Sequence, residues 1–201
     1  ADLNRMIGRI KEARRQSDYV VLSIHSHEMR GSSKDEPDYF FEQYARACID
    51  AGADAVIGHG PHVLRGIEIY QGRPIFYSIG NFIFHTETVR TQPHDQYEKY
   101  GVNGSDTTVA DVLAAMSADY TRGLCVNPDV WEAVLPFWRM DNGELKELLL
   151  YPIELGYELP VYRMGWPKIS RNTKILKRLA RLSEEYGTDI DIVDGVGRVV
   201  L

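Results

Sequence analysis

The chain has 201 residues, of which 44% are hydrophobic and 26% are charged, and its formal net charge is −6. This composition is typical of one globular domain and argues against a disordered chain. Nonspecific nucleic-acid binding depends on a positive surface, so the negative charge indicates that nucleic acid is not a partner. No stretch approaches 18 consecutive apolar residues, and we therefore expect no membrane span.

The first predicted elements are a helix and a strand. Apolar residues recur at helical spacing over residues 3–16, which predicts an amphipathic helix. The unbroken β-rich run at residues 19–24 predicts a strand covered on both faces, as in parallel sheets. This strand ends at the polar segment His25-Ser26-His27-Glu28.

A second helix and a second strand follow. Pro37 and Asp38 are typical of a helix start, and residues 55–57 predict another short buried strand. That strand runs into Gly58-His59-Gly60-Pro61-His62. Residues 19–57 therefore predict a strand–helix–strand unit with parallel strands, and ligands bind at the carboxyl ends of such strands.

The rest of the chain predicts hairpins, an irregular stretch and a basic helix. Hairpins are expected over residues 67–78 and 131–153, the second one around Asp141-Asn142-Gly143. Residues 86–130 are polar and irregular, apart from a helix expected at 109–116. A helix capped by Asn172 or Thr173 and two short strands at 190–192 and 197–201 are expected to close the chain.

Two further side-chain groups have ordinary structural interpretations. Cys48 lies in an apolar helical pattern and is expected in the core, and a disulfide with Cys125 has no support in the sequence. Basic residues at helical spacing are typical of a solvated helix face, and these are Lys174, Lys177, Arg178 and Arg181.

Histidines supply the strongest chemical signal. Four of the six lie in the two loops that follow the predicted buried strands. Imidazole is the commonest protein ligand of divalent metal ions, and a loop at a strand end can hold it rigidly. We predict His25, His59 and His62 as metal ligands, although a single loop histidine is more often a surface or hydrogen-bonding residue. Three histidines alone suit zinc, whereas added oxygen ligands favour manganese or iron.

Neighbouring polar residues have candidate roles around such a site. His27 is a candidate ligand, partner of a ligand or proton donor, and Glu28 is a candidate for orienting a histidine. Arg65 suits a phosphate or carboxylate, or else forms a surface ion pair with Glu68. Ser78 and Asn81 are further candidates for hydrogen bonds to the site. Asn81 alternatively stabilises the turn that follows Gly80.

The segment at residues 52–84 resembles a known family signature; it reads GADAVIGHGPHVLRGIEIYQGRPIFYSIGNFIF. It is similar to that of the CapA family, the capsular poly-γ-glutamate biosynthesis proteins of the calcineurin-like metallophosphatase superfamily. Residues 18–28 (DYVVLSIHSHE) and 182–201 (LSEEYGTDIDIVDGVGRVVL) also resemble segments of this family. Residues 86–130 match no part of it and are expected to be an irregular insertion.

The resemblance implies an α/β (α+β) fold, a metallophosphatase-like β-sandwich flanked by helices, in one domain over residues 1–201. It also implies a two-metal centre with divalent ions (Mn, Fe or Zn), with His25, His59 and His62 among the ligands. The superfamily's Gly-Asp, Asn-His and Asp-x-His motifs do not occur in the chain. We therefore expect the chain to correspond to the C-terminal part of the family's domain and to need an N-terminal part for the bridging aspartate.

Three functional hypotheses follow. The first is a CapA-like protein of capsule or poly-γ-glutamate production with a metal-dependent hydrolase step, such as a phosphoesterase. The second is a non-catalytic assembly or export component with a structural or vestigial metal site. The third is a carbohydrate or polyanion binding module that uses Arg65, Tyr97 and Tyr100. Expected partners are an anionic polymer or a small molecule with a phosphate or carboxylate, and the resemblance implies a membrane-associated or extracytoplasmic location.

Overall fold

A computed structural model describes residues 2–201, with every side chain except that of Glu87. Its helices and strands confirm the predicted α/β class. In chain order they are α1 (Asp2–Arg14), β1 (Val21–His25), α2 (Tyr39–Asp50), β2 (Ala55–His59), β3 (Ile67–Tyr70), β4 (Arg73–Phe76), α3 (His94–Lys99), α4 (Val109–Ser117), β5 (Glu132–Asp141), β6 (Glu144–Glu154), β7 (Lys168–Ile169), α5 (Thr173–Ser183), β8 (Ile190–Val193) and β9 (Val196–Val199).

The first sheet carries the histidine loops. Its strand order is β1-β2-β4-β3, with β1, β2 and β4 parallel and β3 antiparallel to β4. The strand–helix–strand unit and the first hairpin are thus confirmed. His25 and His59 are partners in the β1–β2 register, so both strands end at the same edge of the sheet.

The helix between β1 and β2 begins where the sequence indicates. The Asp38 side chain accepts a hydrogen bond from the Phe40 backbone N–H, which caps the first turn of α2. Phe41, Ala45 and Cys48 on this helix are buried against Ile75 of β4 and other apolar residues of the first sheet. Cys48 is therefore a core residue as predicted, and both it and Cys125 are free thiols.

Strand β1 differs from its prediction. We expected it to be covered on both faces, but it is the outer strand of its sheet. Every second residue is exposed, and Val21 retains 51% of its accessible surface. The expectation was wrong because an apolar run shows that a strand can be buried, whereas its position at the end of the strand order decides whether it is.

The second sheet is built on the predicted second hairpin. Strands β5 and β6 pair over ten positions, and β6 also pairs with β9 and the short β7. Helix α5 packs against both sheets, since Leu176 and Leu179 share one apolar core with Phe76 of the first sheet and Leu150 of the second. The two sheets and α5 therefore belong to one continuous core.

Helix α5 carries the basic residues, and most of them behave as expected. Lys174, Lys177 and Arg181 are exposed, and the helix is capped by Asn172, whose side chain accepts from the Lys174 backbone N–H. Arg178 differs from the other three because it forms ion pairs with three carboxylates from two distant segments, namely Asp35 and the pair Asp129 and Glu132.

Residues 86–130 contain more regular structure than we expected. The helix anticipated at 109–116 is present as α4, with Thr108 and Asp111 forming a reciprocal capping box at its start. The six-residue helix α3 was not predicted, because its sequence HDQYEK has no apolar stripe and no buried side chain. In the described residues, no helix is both long enough and apolar enough to cross a membrane.

Candidate functional site

The ends of β1 and β2 are joined by backbone hydrogen bonding. The Ser26 N–H donates to the His59 carbonyl oxygen at 2.8 Å, so the ladder continues one residue beyond the paired histidines. The loop after β1 brings His27 back towards His25, and their ring centroids are 4.9 Å apart. Three of the four loop histidines therefore lie together at one edge of the first sheet.

These three side chains form a row, which we call the imidazole row (His27, His25 and His59). His25 lies at its centre, with Nε2 3.0 Å from His27 Nε2 and Nδ1 3.0 Å from His59 Nδ1. The row ends at Ser23, whose Oγ is 2.9 Å from His59 Nε2. A neutral imidazole has one donor nitrogen and one acceptor nitrogen. All these contacts are therefore satisfied when the three rings are neutral and each donates its hydrogen bond in the same direction along the row.

The fourth histidine is held by a different partner. His62 has a backbone φ of 65°, a left-handed conformation that is rare outside glycine, and its ring centroid lies 5.7 Å from that of His27. Asn81 donates its side-chain N–H to the Val130 carbonyl at 2.9 Å, so its Oδ1 is the atom that faces His62 Nδ1 at 2.9 Å. His62 Nδ1 therefore carries the hydrogen, and its Nε2 is left as an electron-pair donor.

Two glycines allow the close packing around these loops. A Cβ atom at Gly58 would lie 2.5 Å from the Tyr77 carbonyl oxygen, and one at Gly60 would lie 2.8 Å from the Ser26 carbonyl oxygen. Gly60 also has a φ of +125°, which other residues rarely adopt. Glycine is thus required on both sides of the predicted ligand His59.

The local environment favours neutral imidazoles. Desolvation lowers the pKa of His59, and its neighbour His25 lowers it further. Desolvation also lowers the pKa of His27, with additional contributions from His25, His62 and Arg65, while Glu28 acts in the opposite direction. Neutral imidazole is the form that binds a metal ion.

Arg65 has a different environment from the one predicted. Its side chain is completely buried, and it donates from Nε to the Lys34 carbonyl at 2.8 Å and from Nη2 to the Glu28 carbonyl at 2.9 Å. The expected surface ion pair with Glu68 is wrong, because Glu68 pairs with Arg46 instead. Arg65 therefore holds the loop that follows His27, and its Nη1 has no hydrogen-bond partner among the described residues.

Glu28 and Ser78 lie beside the histidine loops, and both contact Arg65 through their backbone carbonyl oxygens. The Glu28 side chain is exposed, whereas its carbonyl oxygen accepts from Arg65. Ser78 is buried, its carbonyl oxygen accepts from the Arg65 N–H, and its Oγ accepts from the Gly80 N–H at 3.3 Å. The structure thus assigns both residues a part in shaping the loops around Arg65.

The nitrogen donors have the chemistry that a divalent metal ion requires, but they face one another in pairs. Two imidazole nitrogens bound to the same zinc ion lie about 3.3 Å apart, given tetrahedral bonds of about 2.0 Å. The nitrogen pairs in the imidazole row are 3.0 Å apart, close to that spacing. Over residues 2–201, no three histidine, cysteine, aspartate or glutamate side chains are arranged to hold a metal ion together. The donor types therefore fit, and the ligand roles of His25, His59 and His62 stay predictions.

Sequence reasoning did not identify the aromatic side chains that border the histidines. The Phe84 ring centroid lies 5.5 Å from that of His62 and 5.4 Å from that of Trp131. Phe84 belongs to the segment that resembles the family, but nothing in its spacing indicates contact with His62. Among the other histidines, His85 lies near Trp166, and His94 is exposed and pairs with Glu98.

The histidine loops lie in the part of the chain that matches a known protein family. Residues 1–86 match the model of the family described as "Bacterial capsule synthesis protein PGA_cap". The predicted resemblance to the CapA family is confirmed. The matched segment contains β1, β2, the imidazole row and His62, so the family resemblance and the histidine cluster coincide.

Individual relatives extend over more of the chain. An uncharacterised protein of Sinorhizobium fredii is 41% identical over 210 residues, covering 100% of this chain and 45% of the relative. The PGA biosynthesis protein CapA of Bacillus subtilis is 39% identical over 154 residues, covering 72% of this chain and 40% of the relative. The capsule biosynthesis protein CapA of Bacillus anthracis is 34% identical over 112 residues, covering 55% and 26% respectively. The chain thus spans less than half the length of these relatives, in agreement with the prediction that it corresponds to part of such a protein.

Proposed function

We propose that this chain is part of a protein of capsule or poly-γ-glutamate biosynthesis, and that its histidine loops form a metallophosphatase-like metal site. The observation that carries the proposal is the meeting of four histidines at the adjoining carboxyl ends of two parallel strands. That edge is where open α/β sheets bind ligands. The names of the relatives support the biological setting, and the histidines support the chemistry.

The residues divide into predicted ligands and residues that position them. His25, His59 and His62 would hold a divalent ion, and the imidazole row places His27 close enough to join or replace one of them. Asn81 fixes the tautomer of His62, which leaves Nε2 as its donor atom. Bound there, the ion would supply Lewis-acid activation of a phosphate ester or carboxylate derivative and of a water molecule.

The proposed reaction is hydrolysis of a phosphoester or a chemically related bond. The nitrogen ligands come from this chain, and carboxylate ligands would come from another part of the complete protein. Mn²⁺, Fe²⁺ and Zn²⁺ are the candidate ions, since an imidazole set with added carboxylates accepts all three. The substrate in this proposal carries an anionic group, either as a small molecule or as part of an anionic polymer.

A non-catalytic role is the second candidate, and one observation favours it. The nitrogens of the imidazole row bind one another and Ser23, which gives these side chains stable partners in the described residues. In that case the protein would be an assembly or export component, with a structural or vestigial site. Arg65, which the binding-module hypothesis needs at the surface, is completely buried.

The two candidates are separated by metal titration followed by an activity assay. Zn²⁺ and Mn²⁺ binding to the chain is measured by calorimetry for the wild type, for His59→Ala and for the control His94→Ala. We expect His59→Ala to weaken binding by at least about tenfold, because it removes a ligand. His94→Ala should bind like the wild type, since His94 is exposed and outside the imidazole row. Equal affinities for both variants would rule out the proposed metal site.

The activity arm uses the complete protein in which this chain occurs. Hydrolysis of bis(4-nitrophenyl) phosphate is followed with each metal and after treatment with a chelator. Turnover that needs metal and disappears in His59→Ala supports the hydrolase. Metal binding without turnover of any phosphate ester supports the non-catalytic role instead.

A further inference from the structure

An apolar cavity of about 240 Å³ lies next to the histidine loops. Its wall includes Phe84, the residue whose ring also contacts His62. Trp131 is a second wall residue, and its ring centroid lies 5.4 Å from that of Phe84. One aromatic side chain therefore borders both the cavity and the candidate metal ligand.

The remaining wall is mainly apolar. Leu113, Met116, Leu124 and Met164 supply aliphatic and thioether surface. Two of the polar side chains that line the cavity are engaged by the backbone, since the Ser117 hydroxyl donates to the Leu113 carbonyl and Arg122 donates to two carbonyls at the end of α4. An apolar ligand group in this cavity would be stabilised by removal of its surface from water.

The two parts of this region have different origins in the sequence. The histidines and Phe84 lie inside the segment that matches the family, residues 1–86. Helix α4 and residues 120–125, which form much of the cavity wall, lie outside it. A site whose wall comes from outside the family model is the arrangement expected where the chemistry is common to the family and the ligand preference differs among its members.

The size of the cavity limits its occupant. A cavity of about 150 Å³ lined by aliphatic and aromatic residues holds one benzene molecule. The present cavity is larger than that, with room for one substituted aromatic ring or a short alkyl chain, and it is much too small for a folded segment. Its neighbour His62 is a predicted metal ligand, and a cation bound there would attract a negatively charged head group.

We propose that this cavity binds the apolar group of a small amphiphilic ligand, such as an aryl or short-chain alkyl phosphate or carboxylate, whose anionic head lies at His62. This inference rests on the proposed metal site for the head group and adds the class of its substituent. Phe84 is the residue that joins the two halves of the binding site.

Trp131 provides a direct test because it lines the cavity. The other tryptophans, Trp138 and Trp166, are replaced by Phe, so that fluorescence reports Trp131 alone. The chain is titrated with 4-bromophenyl phosphate, whose bromine quenches nearby tryptophan emission, and separately with 4-bromophenol and inorganic phosphate, each with and without Zn²⁺. We expect the ester to bind at least tenfold more tightly than 4-bromophenol with Zn²⁺ present, and inorganic phosphate to cause no quenching.

Matched variants on α4 locate the binding site. Met116→Gln places an amide in the cavity and should weaken ester binding about tenfold. Ala110→Gln introduces the same side chain at an exposed position of the same helix and should change nothing. Protection of Cys125, another wall residue, from iodoacetamide by the ester gives a second readout, and Cys48 does not interfere because burial raises its pKa to about 11.

The outcomes separate this inference from the proposed function. No quenching by either aromatic compound, or equal loss in the two α4 variants, would overturn the cavity as a binding site. Quenching by 4-bromophenol that equals quenching by the ester would overturn the link to His62. Cavity binding of the ester in a protein that turns over no phosphate ester would leave this inference standing and count against the hydrolase alone.

Discussion

Strands β1 and β2 are neighbours with the same ending but different surroundings. Both run into a histidine at the same edge of the sheet, and their residues pair one to one from Val21 with Ala55 to His25 with His59. Strand β2 is covered by its neighbours, with Ala55 and Val56 fully buried, whereas alternate residues of β1 are exposed. His59 thus lies at the end of a buried strand, whereas its partner His25 lies at the end of a strand that is partly exposed to solvent.

This difference shows where the rigidity of the site originates. The His59 side is fixed by core packing and by Gly58, which packs closely against the backbone of Phe76 in β4 and of Tyr77. The His25 side depends on hydrogen bonds, from Ser26 to His59 and from Arg65 to the loop after His27. Substitutions near β2 should therefore cost more stability than similar ones in β1, and three predictions test this.

The largest effect is expected for Gly58→Ala. The added Cβ would lie 2.5 Å and 2.8 Å from the carbonyl oxygens of Tyr77 and Phe76, so the backbone of β4 must move. We expect a loss of about 3 kcal/mol in the free energy of unfolding, measured by urea denaturation. Gly8→Ala in α1 is the control, because no atom lies within 4 Å and alanine favours a helix, which predicts a gain of up to about 1 kcal/mol. A loss in Gly58→Ala as small as 0.5 kcal/mol (about the scale of a surface substitution) would contradict the close packing.

An intermediate effect is expected for Arg65→Met. This change keeps the apolar stem but removes the donors to the carbonyls of Glu28 and Lys34, which costs about 2 kcal/mol in unfolding free energy. Hydrogen exchange should rise in residues 28–36 and remain low in β2. The same replacement at Arg5, which is exposed, should have no measurable effect. Unchanged exchange in residues 28–36 would show that Arg65 does not hold this loop.

The smallest effects come from one substitution made on both strands. Val56→Thr introduces a hydroxyl at a fully buried position of β2 and should cost about 1–2 kcal/mol. Val21→Thr makes the same change where half of the side chain is already exposed, and we expect a change within about 0.5 kcal/mol. Similar losses for the two variants would mean that β1 is as well covered as β2, against the description given above.

Much of this architecture could be predicted because local patterns decide it. The helix capped by Asp38, the hairpin around Asn142 and the histidines at both strand ends follow from residues close together in the chain. The exposure of β1 and the burial of Arg65 could not be predicted in this way. Both depend on which distant segments pack nearby, and no periodicity records that.

The candidate site was predicted in part for the same reason. Strand-end placement brings His25 and His59 together, and the parallel register makes that meeting almost unavoidable. The hydrogen bond from His62 to Asn81 and the ring contact with Phe84 depend on how the loop after β4 folds back. Such contacts were named only as candidates, or not at all, because loop conformation is set by tertiary packing.

The ion pairs of Arg178 have a consequence for how the protein can be divided. This one side chain on α5 contacts Asp35 in the loop after the imidazole row, Asp129 just before β5 and Glu132 at the start of β5. Arg178 and Asp35 are separated by 143 positions in the chain. A fragment that keeps every histidine but stops before α5 would leave these three carboxylates without the arginine that links their two segments. The minimal unit that preserves the site is therefore set by a residue that touches none of its ligands.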